Sequence, residues 1–237
     1  MTDIYDPGFV ERLFDEMASS YEAVNYVTSI GFSKRWRRQV VSEAVIQPGM
    51  VVCDLMCGMG ECWNAIALRL GERDELIGVD LSDKMLQGAV KRKAKFARLN
   101  IALHKQNALD NTLEDECVDC VICGFGVKTF SEEQKETLAA EIRRILKPQG
   151  TFSLIEVSVP SGWILKALYM FYLKHIIPII GRLLLGNPEN YRMLGVYTEK
   201  FGNCKTIRDI LARQGLRVRY HIYFFGCASG VSGVKVA

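Results

Sequence analysis

Val51–Glu61 reads VVCDLMCGMGE. Its first half is a short apolar run, continuous from Met50 to Leu55, of the kind that forms a strand buried on both faces. Its second half, Cys57-Gly58-Met59-Gly60, is a glycine turn, and Glu61 opens a helix expected over Glu61–Leu70. Strand, glycine turn and helix together make the opening unit of a sheet that binds ligands at its strand ends. Glycines at 58 and 60 let the backbone approach a ligand with no Cβ between them. The helix start offers amides that have no partner within the helix. In dinucleotide enzymes such amides hold a pyrophosphate. Here Cys57 replaces the first glycine of that fingerprint, and Glu61 would repel a phosphate. A ligand carrying a cationic amine suits the position better.

Further along, Asp80 lies 20 residues beyond Gly60, at the end of a second apolar run, Leu76–Val79. A carboxylate there can accept from both hydroxyls of a ribose. Asn107 and Ala108 follow a third run, Ile101–Leu103, where an amide and a small residue can sit beside an adenine edge. Gly124 closes a fourth run, Val118–Cys123. With Asp54, Cys57, Gly58, Met59 and Gly60 from the first turn, and Leu81 and Met85 next to Asp80, these residues form the expected ligand-binding set.

Between the runs lie amphipathic helices. Ser82 is placed to cap one that carries Met85, Leu86 and Ala89. Ser131-Glu132-Glu133-Gln134 fits a capping box before Leu138, Ile142 and Ile145. The fifth run is Thr151–Val157. This βαβ succession predicts an α/β, Rossmann-like sheet of seven mostly parallel strands with helices on both faces. The last two strands, Arg217–Phe225 and Val231–Val236, are expected as an antiparallel C-terminal hairpin. Residues 1–48 read as an N-terminal helical lid and 49–160 as the ligand-binding core. Residues 161–205 read as an apolar helical insertion ending in a polar loop from Gly186 to Lys205. Residues 206–237 hold the last helix and the hairpin, so the whole chain is one domain.

The 237 residues can bury a sizeable core, and a net charge of +3 is too weak to predict a nucleic-acid partner. The N-terminus shows no basic segment followed by an apolar run, so a cytoplasmic location with reduced thiols is expected. Cys117, Cys120 and Cys123 make two overlapping C-x-x-C spacings, but they fall in a strand, where successive side chains alternate faces. Structural thiols and no metal are therefore expected. No 18-residue apolar stretch is found, so no membrane-spanning helix is predicted. Gly162–Gly186 comes nearest, with Lys166, Lys174, His175 and Arg182 interrupting it and Pro178 expected to break it.

At the ligand-binding set the chain resembles class I S-adenosylmethionine-dependent methyltransferases. The likeness extends over nearly the whole length to the ubiquinone/menaquinone biosynthesis C-methyltransferase family. Phe14-Asp15-Glu16-Met17-Ala18-Ser19-Ser20-Tyr21 with Asn25 resembles that family's F-D-x-x-A-x-x-Y-D-x-x-N opening, and Trp36-Arg37-Arg38 its W-[KR]-[KR] helix. Phe125-Gly126-Val127-Lys128 resembles F-G-[LI]-R, and Ile145–Gly150 resembles R-V-L-K-P-G-G. Glu156–Pro160 resembles E-F-S-x-P, and Asn190–Leu194 resembles S-Y-x-Y-L. The resemblance implies S-adenosyl-L-methionine as cofactor and a lipophilic quinol precursor as acceptor. It implies that Tyr21 reaches the methionine carboxylate and that helices over 162–186 cover a greasy tunnel. Two segments depart from the pattern: Lys128-Thr129 stand where the family has Arg-Asn, and Gly195–Gly202 replaces S-I-x-x-[HF]-P. The cofactor side is kept and the acceptor side altered, which points to a divergent member that methylates another hydrophobic small molecule, a quinol-like or natural-product acceptor, at carbon or oxygen, rather than to a standard quinone enzyme.

Methyl transfer is an in-line displacement, so positioning and acceptor activation are the protein's tasks. Lys128 is a candidate for stabilising an oxyanion on the acceptor. His175, Tyr191 and Tyr197 are the other candidates for contact with the reacting groups. The 162–186 stretch has two readings, a lid or membrane-dipping hairpin that admits a lipophilic acceptor, or an ordinary helical cap or homodimer contact. Two alternatives to C- or O-methylation stay open: N-methylation of an amine or phospholipid, and a non-methyl reaction such as cyclisation on the same cofactor.

Overall fold

The computed structural model describes residues 3–184 and 187–236. Three helices open the chain: α1 (Pro7–Met17), α2 (Tyr21–Thr28) and α3 (Phe32–Ser42). The core follows as β1 (Val52–Leu55), α4 (Trp63–Ala67), β2 (Glu75–Asp80), α5 (Asp83–Lys93), β3 (Asn100–Lys105), β4 (Val118–Gly124), α6 (Glu132–Ile145) and β5 (Leu146–Val157). The insertion contributes α7 (Trp163–Phe171), a π-turn (Tyr172–Ile176), α8 (Ile177–Leu183) and α9 (Pro188–Phe201). The chain ends with α10 (Lys205–Arg213), β6 (Leu216–Tyr223) and β7 (Ala228–Lys235).

The seven strands form one sheet in the order β3-β2-β1-β4-β5-β7-β6. β1 pairs in parallel with β2 and β4, which places the loops that follow β1 and β4 side by side at the carboxyl end of the sheet. All four residues of β1 are buried. One core, with Cys57, Trp63 and Cys120, lies on one face; the other, with Val79, Cys123 and Leu138, lies on the opposite face. Cys120 and Cys123 thus point into different cores, as alternation along a strand requires. Among the described residues, no three His, Cys, Asp or Glu side chains gather as a metal site.

The sheet matches the predicted class, with corrections in detail. β7 is antiparallel to both β5 and β6, so β6 runs in the same direction as the first five strands and only β7 is reversed. The connection between the last strands is shorter than expected, because a tight turn at Phe224–Gly226 with Phe224 and Phe225 at positive φ replaces the five-residue loop. The helix expected over Glu61–Leu70 shrinks to Trp63–Ala67, because the glycine turn continues through Cys62.

The insertion departs most from expectation. The polar loop predicted from Gly186 is instead helix α9; Gly186 itself lies outside the described residues. Asn187 caps α9 by accepting from the Glu189 amide, Pro188 begins it, and Tyr191, Thr198 and Phe201 are buried along it. Pro178 does not break its helix. A proline lacks the amide that would bond four residues back and its ring crowds that carbonyl. Here the π-turn just before it widens the helix, with the Ile177 amide donating to the Tyr172 carbonyl. Trp163–Leu183 therefore runs as 21 continuous helical residues, long and apolar enough by length and composition to cross a membrane. This corrects the expectation that no stretch would qualify. The run does not stand clear of the protein: Leu173, Pro178 and Gly181 pack inward, and Gly181 meets the Tyr191 ring of α9.

Candidate active site

Two chambers open at the carboxyl ends of the parallel strands. The first lies over the glycine turn. Cys57 and Gly58 line its floor, Asp80, Leu81 and Met85 one side, and Asn107, Ala108 and Gly124 the other. Tyr5, Val10 and Phe14 from the N-terminal segment close it above. That lid is tied down at Asp15, whose Oδ1 accepts from Ser82 Oγ at 2.5 Å and from the Lys84 amide at 3.1 Å.

Asp80 is the most constrained group in this chamber. Its Oδ2 accepts from the Gly58 amide at 2.7 Å and its Oδ1 from the Ser82 amide at 2.9 Å. Each carboxylate oxygen keeps a second acceptor site for a ligand hydroxyl. Burial pushes its pKa up to about 6, and the amides of Ser82 and Gly58 limit the rise.

Glu61 stands across the turn. Its Oε2 accepts from the Met59 amide at 3.0 Å, while its buried Oε1 has no hydrogen-bond partner among the described residues. Arg37 Nη2 lies 3.7 Å from that oxygen, beyond hydrogen-bond reach. Burial works against the Arg37 charge, but Glu61 and other nearby acidic groups outweigh it and raise its pKa. A buried base and a part-buried acid, incompletely joined, face the same chamber. They are the complement of an amino-acid head, ammonium toward Glu61 and carboxylate toward Arg37. This donor set fits S-adenosyl-L-methionine, with Asp80 placed for its ribose.

Three residues of the expected set stand behind the chamber wall. Asp54 is buried beneath the turn; burial and then Glu61 raise its pKa well above the carboxylate range, and its Oδ2 is unpartnered among the described residues. The Met59 side chain packs against Gly88 of α5. Gly60 serves packing: at φ 79°, a Cβ there would sit 2.4 Å from the Trp63 ring. Met56 and Phe125, at the ends of β1 and β4, hold φ of 60° and 72° and line the chamber. Non-glycine residues in the left-handed region are strained and gather at working sites.

The second chamber, about 360 Å3, is larger and mainly apolar. Trp36, Leu173, Ile177 and Leu194 supply its walls, and Ile30, Phe32 and Phe224 its rim. It shares Tyr21, Arg37 and Phe125 with the first chamber. Burial raises the Tyr21 phenol well above its ordinary pKa, so it stays neutral and can donate.

Lys128 lines this second chamber. Its Nζ donates to Glu156 Oε1 at 2.7 Å, and its backbone amide donates to Glu156 Oε2 at 3.2 Å. Both side chains are buried. Tyr191 also lines the chamber, but its hydroxyl is engaged with Ser20 Oγ at 2.8 Å. The other two candidates are not brought to the site. Tyr197 is buried in the packing of α9, where its hydroxyl donates to the Ile4 carbonyl and straps the N-terminal segment down. His175 is exposed on the outer face of the insertion, 4.9 Å from the Phe171 ring. Spacing alone placed it in an apolar segment without saying which side of the helix faces in.

Arg37 and Phe125 were not expected in the site and entered only among the residues that carry the resemblance. Arg37 carried a direct signal as well, since it shares a helix stripe with Val40 and Val41, and a cation on an apolar stripe marks a buried charge.

The ubiE/COQ5 methyltransferase family model matches residues 1–235. The chain belongs to the ubiE/COQ5 methyltransferase family. It is 30% identical over 227 residues to the demethylmenaquinone methyltransferase of Shouchella clausii, covering 95% of this chain and 96% of the relative. The enzyme of the same name from Lactiplantibacillus plantarum is 29% identical, with 96% of each chain covered. Among solved structures, a S-adenosylmethionine-dependent methyltransferase from Aquifex aeolicus superposes with a TM-score of 0.58 at 20% identity, over 100% of both chains. The Synechocystis magnesium protoporphyrin IX methyltransferase gives 0.65 at 17% identity, over 97% of this chain and 99% of that one. At these identities the superpositions speak for the fold. This methyltransferase uses S-adenosyl-L-methionine, and Asp80, Arg37 and Glu61 line one polar chamber whose donors and acceptors fit that cofactor.

Proposed function

We propose that the protein methylates a lipophilic, quinol-like acceptor at a ring carbon, with the acceptor in the apolar chamber and the cofactor in the polar one. The observation that carries this reading is the shared wall: Tyr21, Arg37 and Phe125 face both chambers, and Lys128 faces the apolar side. S-adenosyl-L-methionine supplies, when bound, a methyl group on a sulfonium, delivered by in-line displacement. The chain's own residues do the rest. The apolar walls exclude water and orient the ring. The Lys128 ammonium, held by Glu156, stabilises the oxyanion of a phenolate acceptor and so favours electron density at the neighbouring ring carbon. The names of the curated relatives point to the same class of acceptor.

A cationic amine acceptor suits the chamber poorly. Lys128 repels it, and among the described lining residues the chamber offers aromatic rings but no Asp or Glu. Incubation with labelled cofactor and isoprenoid-substituted quinols or phenols, followed by mass spectrometry, tests the reading. The expected product is one methyl heavier, with the label on a ring carbon. Label on nitrogen of an amine substrate, and none on the quinols, overturns it. Lys128→Met is expected to lower turnover by about 10²–10³-fold, while Lys128→Arg retains most of it.

A further inference from the structure

The mouth of the apolar chamber carries a distinctive surface. Three segments meet there: the α2–α3 turn, the Phe224–Gly226 turn and the Trp163–Leu183 helical run. Phe32 and Phe224 pack ring to ring at 4.4 Å, Tyr172 Oη donates to the Thr28 carbonyl at 2.6 Å, and Tyr169 Oη donates to the Cys227 carbonyl at 3.3 Å. Around this junction the side chains that face outward are large and apolar. Ile30 is 85% exposed, Trp163 81% and Phe225 79%, with Leu168, Phe171, Ile179 and Leu183 also exposed. Only 22% of the most apolar 18-residue window of the helical run is buried. Exposure on this scale in one region marks an interaction surface.

The backbone at the rim adds an independent sign. Ile30, Phe224 and Phe225 hold φ of 50°, 43° and 54°. A β-branched isoleucine in the left-handed region is strained, and Asn or Gly would relieve the strain at no cost in packing. Keeping apolar side chains there fits a role for those side chains in contact outside the protein.

Charge selects the partner. The chain carries 27 Asp and Glu, yet none falls in residues 23–42, 157–188 or 210–237, the segments that contain the three mouth elements. Those segments contribute Lys34, Arg35, Arg37 and Arg38, then Lys166, Lys174 and Arg182, then Arg213, Arg217, Arg219 and Lys235. Among the described residues, acids of other elements offset part of this charge: Glu199 pairs with Lys174 at 2.6 Å, Glu116 with Lys235 at 2.9 Å and Glu136 with Arg213, Glu61 lies 3.7 Å from Arg37, and Glu43 lies 3.6 Å from His221. Lys166 and Arg182 make no ion pair among the described residues and stand exposed beside the apolar stripe. Apolar side chains ringed by cations, with no carboxylate on the same segments, match an anionic bilayer. A second copy of this chain would set cation against cation.

We infer that this face docks on an anionic membrane surface, with the Trp163–Leu183 run lying in the interface plane and the chamber mouth opening to the bilayer. The run does not span, because its inward side is packed against α9 and α2. Ile30, Phe224, Phe225 and Trp163 enter the acyl boundary, and Lys166 and Arg182 meet the headgroups. The inference rests on the acceptor reading above for its purpose, since a lipophilic acceptor resides in the bilayer that the mouth faces. Its test does not depend on catalysis.

Trp163 supplies the probe. Trp36 and Trp63 are buried, so a change in tryptophan emission on vesicle addition reports Trp163. The full-length protein is titrated with vesicles of phosphatidylcholine alone and with vesicles containing anionic phosphatidylglycerol, and binding is followed by emission and by flotation. Binding to the anionic vesicles with a blue shift is expected, weakening as salt rises. The blue shift is expected to vanish in Trp163→Phe. Leu168→Glu with Phe225→Glu is expected to abolish flotation while thermal midpoint and turnover of a short-chain, water-soluble acceptor stay unchanged. Lys166→Gln with Arg182→Gln is expected to weaken binding roughly 25-fold, from about fivefold per cation. No flotation with anionic vesicles overturns the inference, as does flotation that survives the double glutamate variant. A dimer in light scattering that those substitutions dissociate overturns it in favour of a self-association face. Loss of turnover on every acceptor with vesicle binding intact counts against the acceptor reading and leaves the docking surface standing.

Discussion

At the scale of single residues, two acids, Asp80 and Glu156, decide how the site titrates and holds together. Asp80 has a pKa of about 6 because burial disfavours its charge. Ribose hydroxyls donate to the ionised form, so bound cofactor favours deprotonation. The sign follows: cofactor affinity is flat above about pH 6 and falls below it, approaching tenfold per pH unit. Calorimetric titration between about pH 5 and 8 checks this, with Asp80→Asn expected to bind weakly throughout and to lose the inflection. A steady affinity across that range in the unaltered protein would mean that Asp80 does not contact the ligand. Glu156 poses the opposite problem. It is wholly buried and balanced by Lys128 at 2.7 Å. Removing the cation alone leaves an uncompensated charge, so Lys128→Met should cost about 3–5 kcal/mol of stability. Lys128→Met with Glu156→Gln should recover most of that in urea denaturation, yet remain slow in turnover. If the double variant regains turnover, Lys128 acts only through stability.

At the scale of elements, the glycine turn combines two tasks that the sequence could not separate. Gly58 borders the polar chamber, whereas Gly60 makes room for Trp63. Gly60→Ala combines a positive φ with a Cβ 2.4 Å from the indole, and should cost about 2–5 kcal/mol in chemical denaturation. A loss of cofactor affinity without loss of stability would instead place Gly60 against the ligand. The same contrast explains what was legible elsewhere. The five core strands and the helices between them could be read because each is a short apolar run or a capped amphipathic repeat, as Ser82 and the Ser131–Gln134 capping box show. α9 was hidden because Tyr191, Thr198 and Phe201 bury one stripe of a helix whose other faces are polar, so its composition resembles a loop. Pro178 misled for a different reason: a π-turn absorbs the clash, and no local pattern announces it. In the site, residues on strand ends could be placed by counting from the glycine turn. His175 and Tyr197 could not, since which way a helix residue faces depends on packing that only the tertiary structure supplies.

At the scale of the whole molecule, the proposed reaction requires that two chemically different chambers meet at one plane. The N-terminal helices make that meeting possible: α2 brings Tyr21 and α3 brings Arg37 over the ends of β1 and β4, where Phe125 completes the partition. Phe125 lies 5.1 Å from the Arg37 guanidinium and 6.3 Å from the Trp36 ring, so one strained aromatic positions the polar head-group residue and an apolar wall together. Substitutions confined to one chamber should then affect one substrate. Met85→Ala, on the polar side, should raise KM for the cofactor, and Leu194→Ala, on the apolar side, KM for the acceptor. Phe125→Ala should raise both, and should lower kcat beyond either because the two reacting centres lose their common support; a displacement of about 1 Å suffices for a hundredfold loss. Steady-state kinetics with each substrate varied in turn makes the comparison. If Phe125→Ala raised KM for only one substrate, the chambers would be adjacent without being coupled, and alignment of methyl and acceptor would have to rest on Tyr21 and Arg37 alone.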